Sequence, residues 1–125
     1  MKIKCGTDII EISRVKESME KSEDAFKNKI FTVEEIEYCE SKGKQKYQHY
    51  AARFAAKEAA FKAISESLKD KYELCWKNYE VISDENGKPH MNILGINEKK
   101  IENIDVSLSH CKEYAVANVV ILFKD

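Results

Sequence analysis

Asp8, Glu58 and Lys62 are the side chains of this sequence best suited to chemistry, and they lie on two separate segments. Asp8 falls in the alternating run Lys2-Ile3-Lys4-Cys5-Gly6-Thr7-Asp8-Ile9, while Glu58 and Lys62 sit one helical turn apart within Arg53-Phe54-Ala55-Ala56-Lys57-Glu58-Ala59-Ala60-Phe61-Lys62-Ala63. Two acids beside Arg and Lys suit magnesium, a hard cation that takes oxygen ligands, keeps several waters and is held by one or two carboxylates together with substrate phosphates. Ser109 and His110 close the run Ser107-Leu108-Ser109-His110, and a hydroxyl and an imidazole at a strand end can both donate to phosphate oxygens. Gly87-Lys88-Pro89 is a turn and equally a place where backbone can approach a ligand. Each fragment also has a plain structural reading: a strand-ending acid, a solvated helix with a Glu58–Lys62 pair, a hairpin corner. Residue type and spacing leave both readings open.

The elements that must position these groups follow from pattern. The segment around Glu58 is Ala-rich and free of Gly and Pro, which predicts a helix, here over residues 47–68. At about 100° per residue, Arg53, Lys57, Phe61, Phe54, Glu58 and Lys62 share one half of it and Ala55, Ala56, Ala59, Ala60 and Ala63 the rest. The small half predicts close approach of another element; the other half mixes phenyl rings with cations around one carboxylate. Period-two alternation predicts a first strand around Ile3 to Ile9, and a helix is expected over residues 13–26. Thr32 with Glu35 three residues on forms a capping box, so a helix should run from there to about Ser41. Strands are expected over 75–83 and 90–94, joined by the turn Asp84-Glu85-Asn86-Gly87, whose Asn-Gly step supplies positive φ. A second hairpin joins 105–110 to 114–123, and the nearly all-apolar last strand should be central or buried at an interface. Helices in the first half and antiparallel strands in the second predict an α+β fold in one domain, residues 1–125.

With 43% hydrophobic and 34% charged residues and a net charge of −1, the chain reads as globular, with no global basic field for nucleic acid or membrane. Any anion recognition must be local. Cys5, Cys39, Cys75 and Cys111 are far apart and form no C-x-x-C, which argues against a zinc or thioredoxin-like site and for reduced thiols, mostly core filler. The first residues contain no apolar leader and no run is long enough to span a bilayer, so a cytoplasmic protein is expected. His49 and His90 have no ligand spacing and are expected on the surface. No Gly-x-Gly-x-x-Gly, Walker loop or nucleophile elbow is present.

Taken in order, these segments resemble the small holo-acyl-carrier-protein synthases, the carrier-specific 4′-phosphopantetheinyl transferases. Gly6-Thr7-Asp8 through Arg14 resembles their G-x-D-x-x-x-x-x-R signature, and Arg53-Phe54-Ala55-Ala56-Lys57-Glu58-Ala59 through Lys62-Ala63 their R-F-A-x-K-E-A-x-x-K-A motif. Phe31-Thr32 with Glu34-Glu35, Trp76 through Val81, Gly87-Lys88-Pro89 and Ser107-Leu108-Ser109-His110 complete the set. The resemblance implies helices packed on an antiparallel sheet and a homotrimer with active sites at subunit interfaces. It implies transfer of 4′-phosphopantetheine from coenzyme A to a serine of apo-acyl carrier protein, releasing adenosine 3′,5′-bisphosphate, in support of fatty acid biosynthesis. Asp8 and Glu58 would hold Mg²⁺, and Lys62 would neutralise or protonate the leaving phosphate; the general base is Glu58 or a metal-bound water. Arg53, Lys57, Ser109 and His110 would clamp the 3′-phosphate, Gly87, Lys88 and Pro89 would border the nucleotide, and Phe54 and Phe61 would wall the site. Arg14, with Lys16 and Lys21, would meet the acidic carrier. The sequence departs from the family at Ile64-Ser65-Glu66-Ser67-Leu68-Lys69-Asp70, where a Gly-containing turn is usual, so the central helix is expected to continue or to end differently there.

Overall fold

The computed structural model describes residues 1–22, 24–70, 72–96 and 100–125. Its elements are β1 (Lys2–Glu11), α1 (Ile12–Lys21), α2 (Asp24–Ile30), α3 (Val33–Glu40), α4 (Lys46–Ile64), β2 (Tyr79–Ser83), β3 (Pro89–Ile93), β4 (Ile101–His110) and β5 (Tyr114–Phe123). Short 3₁₀ turns lie at Gly43–Gln45, Ser65–Ser67 and Trp76–Asn78. The architecture is α+β. The strands form an antiparallel sheet in the order β1-β5-β4 and a separate β2–β3 hairpin. The apolar last strand is central, as its composition predicts.

Strand register sorts the main sheet into two faces, because residues directly paired across strands point the same way. Gly6, Val106, Ala117, Val119 and Ile121 face inward and are buried, and α4 lies over them with Ala55, Ala56, Ala59, Ala60 and Ala63 fully or almost fully buried. The contact is closest at Gly6, where a Cβ would stand 1.9 Å from the carbonyl oxygen of Ala59 and 3.1 Å from the amide nitrogen of Ala63. Glycine is required there for space; helix backbone rests directly on strand backbone. A second cluster, around Phe31, Tyr50, Cys39 and Val15, fills the space under α1, α2 and α3.

On the other half of α4 Arg53 and Lys57 are buried, which differs from the charged surface that their residue types suggest. Lys57 is completely inaccessible. Its ammonium donates to Glu35 Oε1 at 2.8 Å, to the Trp76 carbonyl at 3.1 Å and to the Tyr79 carbonyl at 2.6 Å, which uses all three of its protons. Glu35, also buried, accepts from Thr32 N at 2.9 Å through Oε1 and from Val81 N at 2.9 Å through Oε2. One carboxylate thus completes the α3 capping box, neutralises Lys57 and anchors the β2–β3 hairpin. Burial holds Lys57 below the ordinary lysine pKa range, with the charge of Glu35 opposing that shift.

Local boundaries differ from expectation where side chains compete with backbone. The helix predicted over 13–26 is two helices meeting at Ser22, whose hydroxyl donates to Ser18 O at 2.7 Å, ending α1, and accepts from Phe26 N at 3.2 Å, starting α2; residue 23 lies outside the described residues. The helix predicted to reach residue 68 ends at Ile64 and tightens into the Ser65–Ser67 3₁₀ turn. Trp76–Asn78 is 3₁₀ where strand was expected, because Asn78 Oδ1 accepts from Cys75 N at 2.9 Å and closes a turn. Only Cys39 is a core thiol; Cys5, Cys75 and Cys111 are exposed.

Gly6→Ala should lower unfolding free energy by about 3 kcal/mol, because neither contacting atom belongs to a flexible side chain; urea denaturation measures this, and a loss under about 1 kcal/mol would mean that α4 can slide off β1. Glu35→Ala should cost about 3–5 kcal/mol by stranding a buried ammonium. The double variant Glu35→Ala, Lys57→Met should recover part of that loss, which a double-mutant cycle reads directly.

Candidate active site

Asp8 pairs with Ala117 on the inward face of the sheet, so its carboxylate points to the α4 side of β1. There it joins Glu58, Arg14 and Phe54 in lining a groove of ≈ 300 Å³ between β1, α1, α2 and α4. Lys62 reaches back across the same junction and donates to Asp8 Oδ1 at 3.1 Å and to the Thr7 carbonyl at 3.0 Å. The three residues singled out by type therefore converge. Burial raises the Glu58 pKa above the usual carboxylate range, the nearby Asp8 charge adds to this, and Lys62 opposes it.

Two half-buried carboxylates facing each other need a counter-charge, and Lys62 meets only part of that need. No group of three or more His, Cys, Asp or Glu is arranged to hold a metal among the described residues. Two oxygen-donor side chains fit magnesium, which retains waters and recruits phosphate oxygens, and do not fit zinc, which wants three or four N or S ligands.

A second cavity, of ≈ 380 Å³, opens on another side of α4. Arg53, His110, Gly87, Lys88 and Pro89 all line it. Arg53 is 2% exposed. Its guanidinium lies 4.0 Å from the Tyr38 ring centroid, Nη2 donates to Ser83 Oγ at 2.9 Å, and Nε makes no hydrogen bond within the chain among the described residues. No carboxylate is among the described lining residues, so cations and hydrogen-bond donors line the cavity, an arrangement suited to a phosphate.

Three expected contributors lie elsewhere. Lys57 has no free donor and is sealed from both cavities, so in this fold it braces α4 and is not a phosphate clamp. Ser109 pairs with Val116 on the outer face of the sheet, opposite to His110, and lines neither cavity. Phe61 packs into the main core, leaving Phe54, with Phe26 at a centroid distance of 5.7 Å, to wall the groove. Conversely, Tyr38, Ser83 and His49 line the cationic cavity and were not expected there. His49 is half-buried, its ring 5.8 Å from that of His110. It precedes Arg53 by four residues, hence shares its helix face, and that spacing was the available signal. His90 is exposed, as expected, and lies 2.9 Å from Asp84.

A family model described as the 4′-phosphopantetheinyl transferase superfamily matches residues 4–119. A holo-[acyl-carrier-protein] synthase of Ruminiclostridium cellulolyticum is 43% identical over 130 residues, covering 100% of this chain and 96% of its own length. The chain belongs to the holo-[acyl-carrier-protein] synthases of this superfamily. Among solved synthases, one from Bacillus anthracis, in complex with CoA (3′,5′-ADP), is 33% identical, covers 94% of each chain and superposes with a TM-score of 0.72. Another, from Helicobacter pylori in complex with coenzyme A, is 25% identical with a TM-score of 0.82 and covers 94% of this chain and 99% of that one. The α+β fold above is thus the 4′-phosphopantetheinyl transferase fold. No helix is long and apolar enough to cross a membrane among the described residues.

The synthase's cationic cavity has a pH signature. Burial, then the charges of Arg53, Lys42 and His110, lower the His49 pKa from 6.5 to about 4. Between those values the unfolded chain binds a proton that the folded chain refuses, so this residue's contribution to stability falls as pH falls from 6.5 to about 4. His49→Gln should flatten the decline of Tm across that window relative to the parent, with the two curves parallel above it; identical slopes throughout would show that His49 titrates normally.

Proposed function

We propose that the protein transfers 4′-phosphopantetheine from coenzyme A to a serine hydroxyl of apo-acyl carrier protein, with Mg²⁺ held by Asp8 and Glu58, releasing adenosine 3′,5′-bisphosphate. The meeting of Asp8 and Glu58 in one groove, with Lys62 bonded to Asp8, supports this reading. Transfer forms a bond from the serine oxygen to the pantetheine-side phosphorus and breaks that phosphorus's bond to the bridging oxygen, whose electrons leave with the nucleotide. When bound, the cation would polarise the pyrophosphate and offset its charge. Lys62, held at the groove by Asp8 and the Thr7 carbonyl, supplies a mobile ammonium to the leaving phosphate. The serine proton would pass to Glu58, whose raised pKa suits a base, or to a water beside it at the cation. Phosphoryl transfer needs positioning and charge neutralisation more than covalent help, and this set supplies both. A non-catalytic coenzyme A-binding module would not require the acid pair.

The nucleotide's 3′-phosphate would occupy the cationic cavity, against Arg53, Lys88 and His110. Arg53 and Glu58 are five residues apart on α4, so they project about 140° apart around the helix axis. One chain therefore turns its two half-sites away from each other. A substrate spanning both is accommodated when a neighbouring copy supplies one half, which supports a homotrimer with interfacial sites. The outer face of the main sheet fits such packing: Ile3 is 69% exposed, Ile9 62% and Val120 42%. Arg14, with 79% of its side chain exposed at the rim of the groove, would meet the acidic carrier, helped by Lys16 and Lys21. We place residues 1–125 in one transferase domain acting in the cytoplasm in fatty acid biosynthesis.

Intact-mass analysis of apo-acyl carrier protein after incubation with the protein, coenzyme A and Mg²⁺ tests the reading. The parent should convert the carrier to its phosphopantetheinyl form, and no mass gain beside a working control enzyme would refute it. Asp8→Asn and Glu58→Gln should each lower kcat by at least about 10²-fold while the far-ultraviolet circular dichroism and sedimentation mass stay those of the parent. Near-parental rates in both variants would remove the metal assignment.

A further inference from the structure

Beyond Ser83 the β2–β3 hairpin leaves the body of the molecule. Asp84, Glu85, Asn86, Gly87 and Lys88 are all exposed, and the last side-chain anchors are Glu35 on Val81 and Arg53 on Ser83. Gly87, Lys88 and Pro89 nonetheless form a wall of the cationic cavity. An exposed turn can act as a wall only if something stops it from sampling other shapes.

One carboxylate does so. Asp84 Oδ1 accepts from the backbone N–H groups of Asn86 and Lys88, each at 2.9 Å, and Oδ2 lies 2.9 Å from His90 Nε2. Backbone closes the same loop: Asp84 N donates to the Lys88 carbonyl and Gly87 N to the Asp84 carbonyl, both at 2.9 Å. Gly87 takes φ of +79°, with open space where a Cβ would be, so its role is conformational freedom and not clearance. His90 first, then the Lys88 and Asn86 amides, hold Asp84 below the usual carboxylate pKa range. Asp84 itself does not line the cavity. Its effect on a ligand must pass through the residues that it ties down.

We propose that Asp84 is a positioning residue for coenzyme A: its carboxylate, bonded to Asn86, Lys88 and His90, presets the turn that holds Gly87, Lys88 and Pro89 against the nucleotide end of the substrate. The proposal rests on the transferase reading above. Presetting the turn removes an ordering cost that binding would otherwise meet. It also keeps the negative charge of Asp84 occupied by three donors beside a site built for an anion.

The test compares Asp84→Ala and Asp84→Asn with the parent, in steady-state transfer and in calorimetric binding of adenosine 3′,5′-bisphosphate. Asp84→Ala should raise KM for coenzyme A and Kd for the bisphosphate on the order of tenfold, with kcat and KM for the carrier changing less than about twofold. Asp84→Asn retains an oxygen for the two amides and should restore most of the loss. Unchanged KM and Kd in Asp84→Ala overturn the proposal, and so does a fall in Tm without any change in either constant. A parent that binds the bisphosphate but transfers nothing overturns the transferase reading alone, and the binding arm then still decides the role of Asp84.

Discussion

The contact between Gly6 and Ala59 is the constraint on which the site depends. Asp8 lies two residues beyond Gly6 and so faces the same side of β1, while Lys62 lies three residues beyond Ala59 on α4. With backbone against backbone at the first pair, the second pair falls at 3.1 Å. A helix displaced by the width of a methyl group would draw Glu58 away from Asp8 and leave Lys62 to restore its contact by extending a flexible stem. The run of alanines on α4 serves the same end: small residues bury little area each, but they let the helix sit where larger ones would hold it off.

Such a helix gains modest hydrophobic stabilisation from its alanine face, and the opposite side has to contribute to holding it. It does so through an ion pair with unusually complete satisfaction. A buried ammonium is costly unless every proton finds an acceptor, and Lys57 has three acceptors within 3.1 Å. Glu35 in turn has partners at the N-cap of α3, on α4 and on β2. Polar groups here do what an apolar core elsewhere does less selectively: they fix which α3 residue meets which α4 residue and at what depth. The ionic pair and the acidic groove occupy neighbouring positions, Lys57 and Glu58, yet face in different directions, one into the interior and one toward the groove.

Much of this was legible in the chain because it is local. The capping box at Thr32 and Glu35, the Asn-Gly turn, the apolar final strand and the alanine face each declare themselves within a few residues, and each is found where expected. What was not legible depends on distant partners. A wheel shows that Lys57 is charged but not that its counter-ion lies 22 residues upstream, so a phosphate clamp was expected where a buried brace exists. The amphipathic pattern through residues 13–26 conceals a break because Ser22 competes for backbone groups, which hydrophobic periodicity does not register. Ser109 and His110 are adjacent and were read together, but neighbouring residues of a strand point to opposite faces. The acid pair shows the same division: chemical type was readable at Asp8 and at Glu58, and their meeting was not.

The split of the strands into two unconnected sheets bears on motion. Among the described residues the β2–β3 hairpin shares no backbone ladder with β1-β5-β4; Tyr79, Val81, Met91 and Ile93 join it to the main core, and side-chain bonds from Glu35, Lys57 and Arg53 fasten it. Segments outside a core open at lower free energy than the core itself, and in this hairpin that segment is the exposed turn from Asp84 to Lys88. Amide hydrogens of α4 and β5 would then exchange only with global unfolding, and those of the turn by a faster route. Asp8, Glu58 and Lys62 stand on β1 and α4, whereas the cationic cavity takes Arg53 from α4, His110 from β4 and Gly87, Lys88 and Pro89 from the hairpin. A loosening of the hairpin would therefore open that cavity on one side and leave the contact of Asp8 with Lys62 as it is.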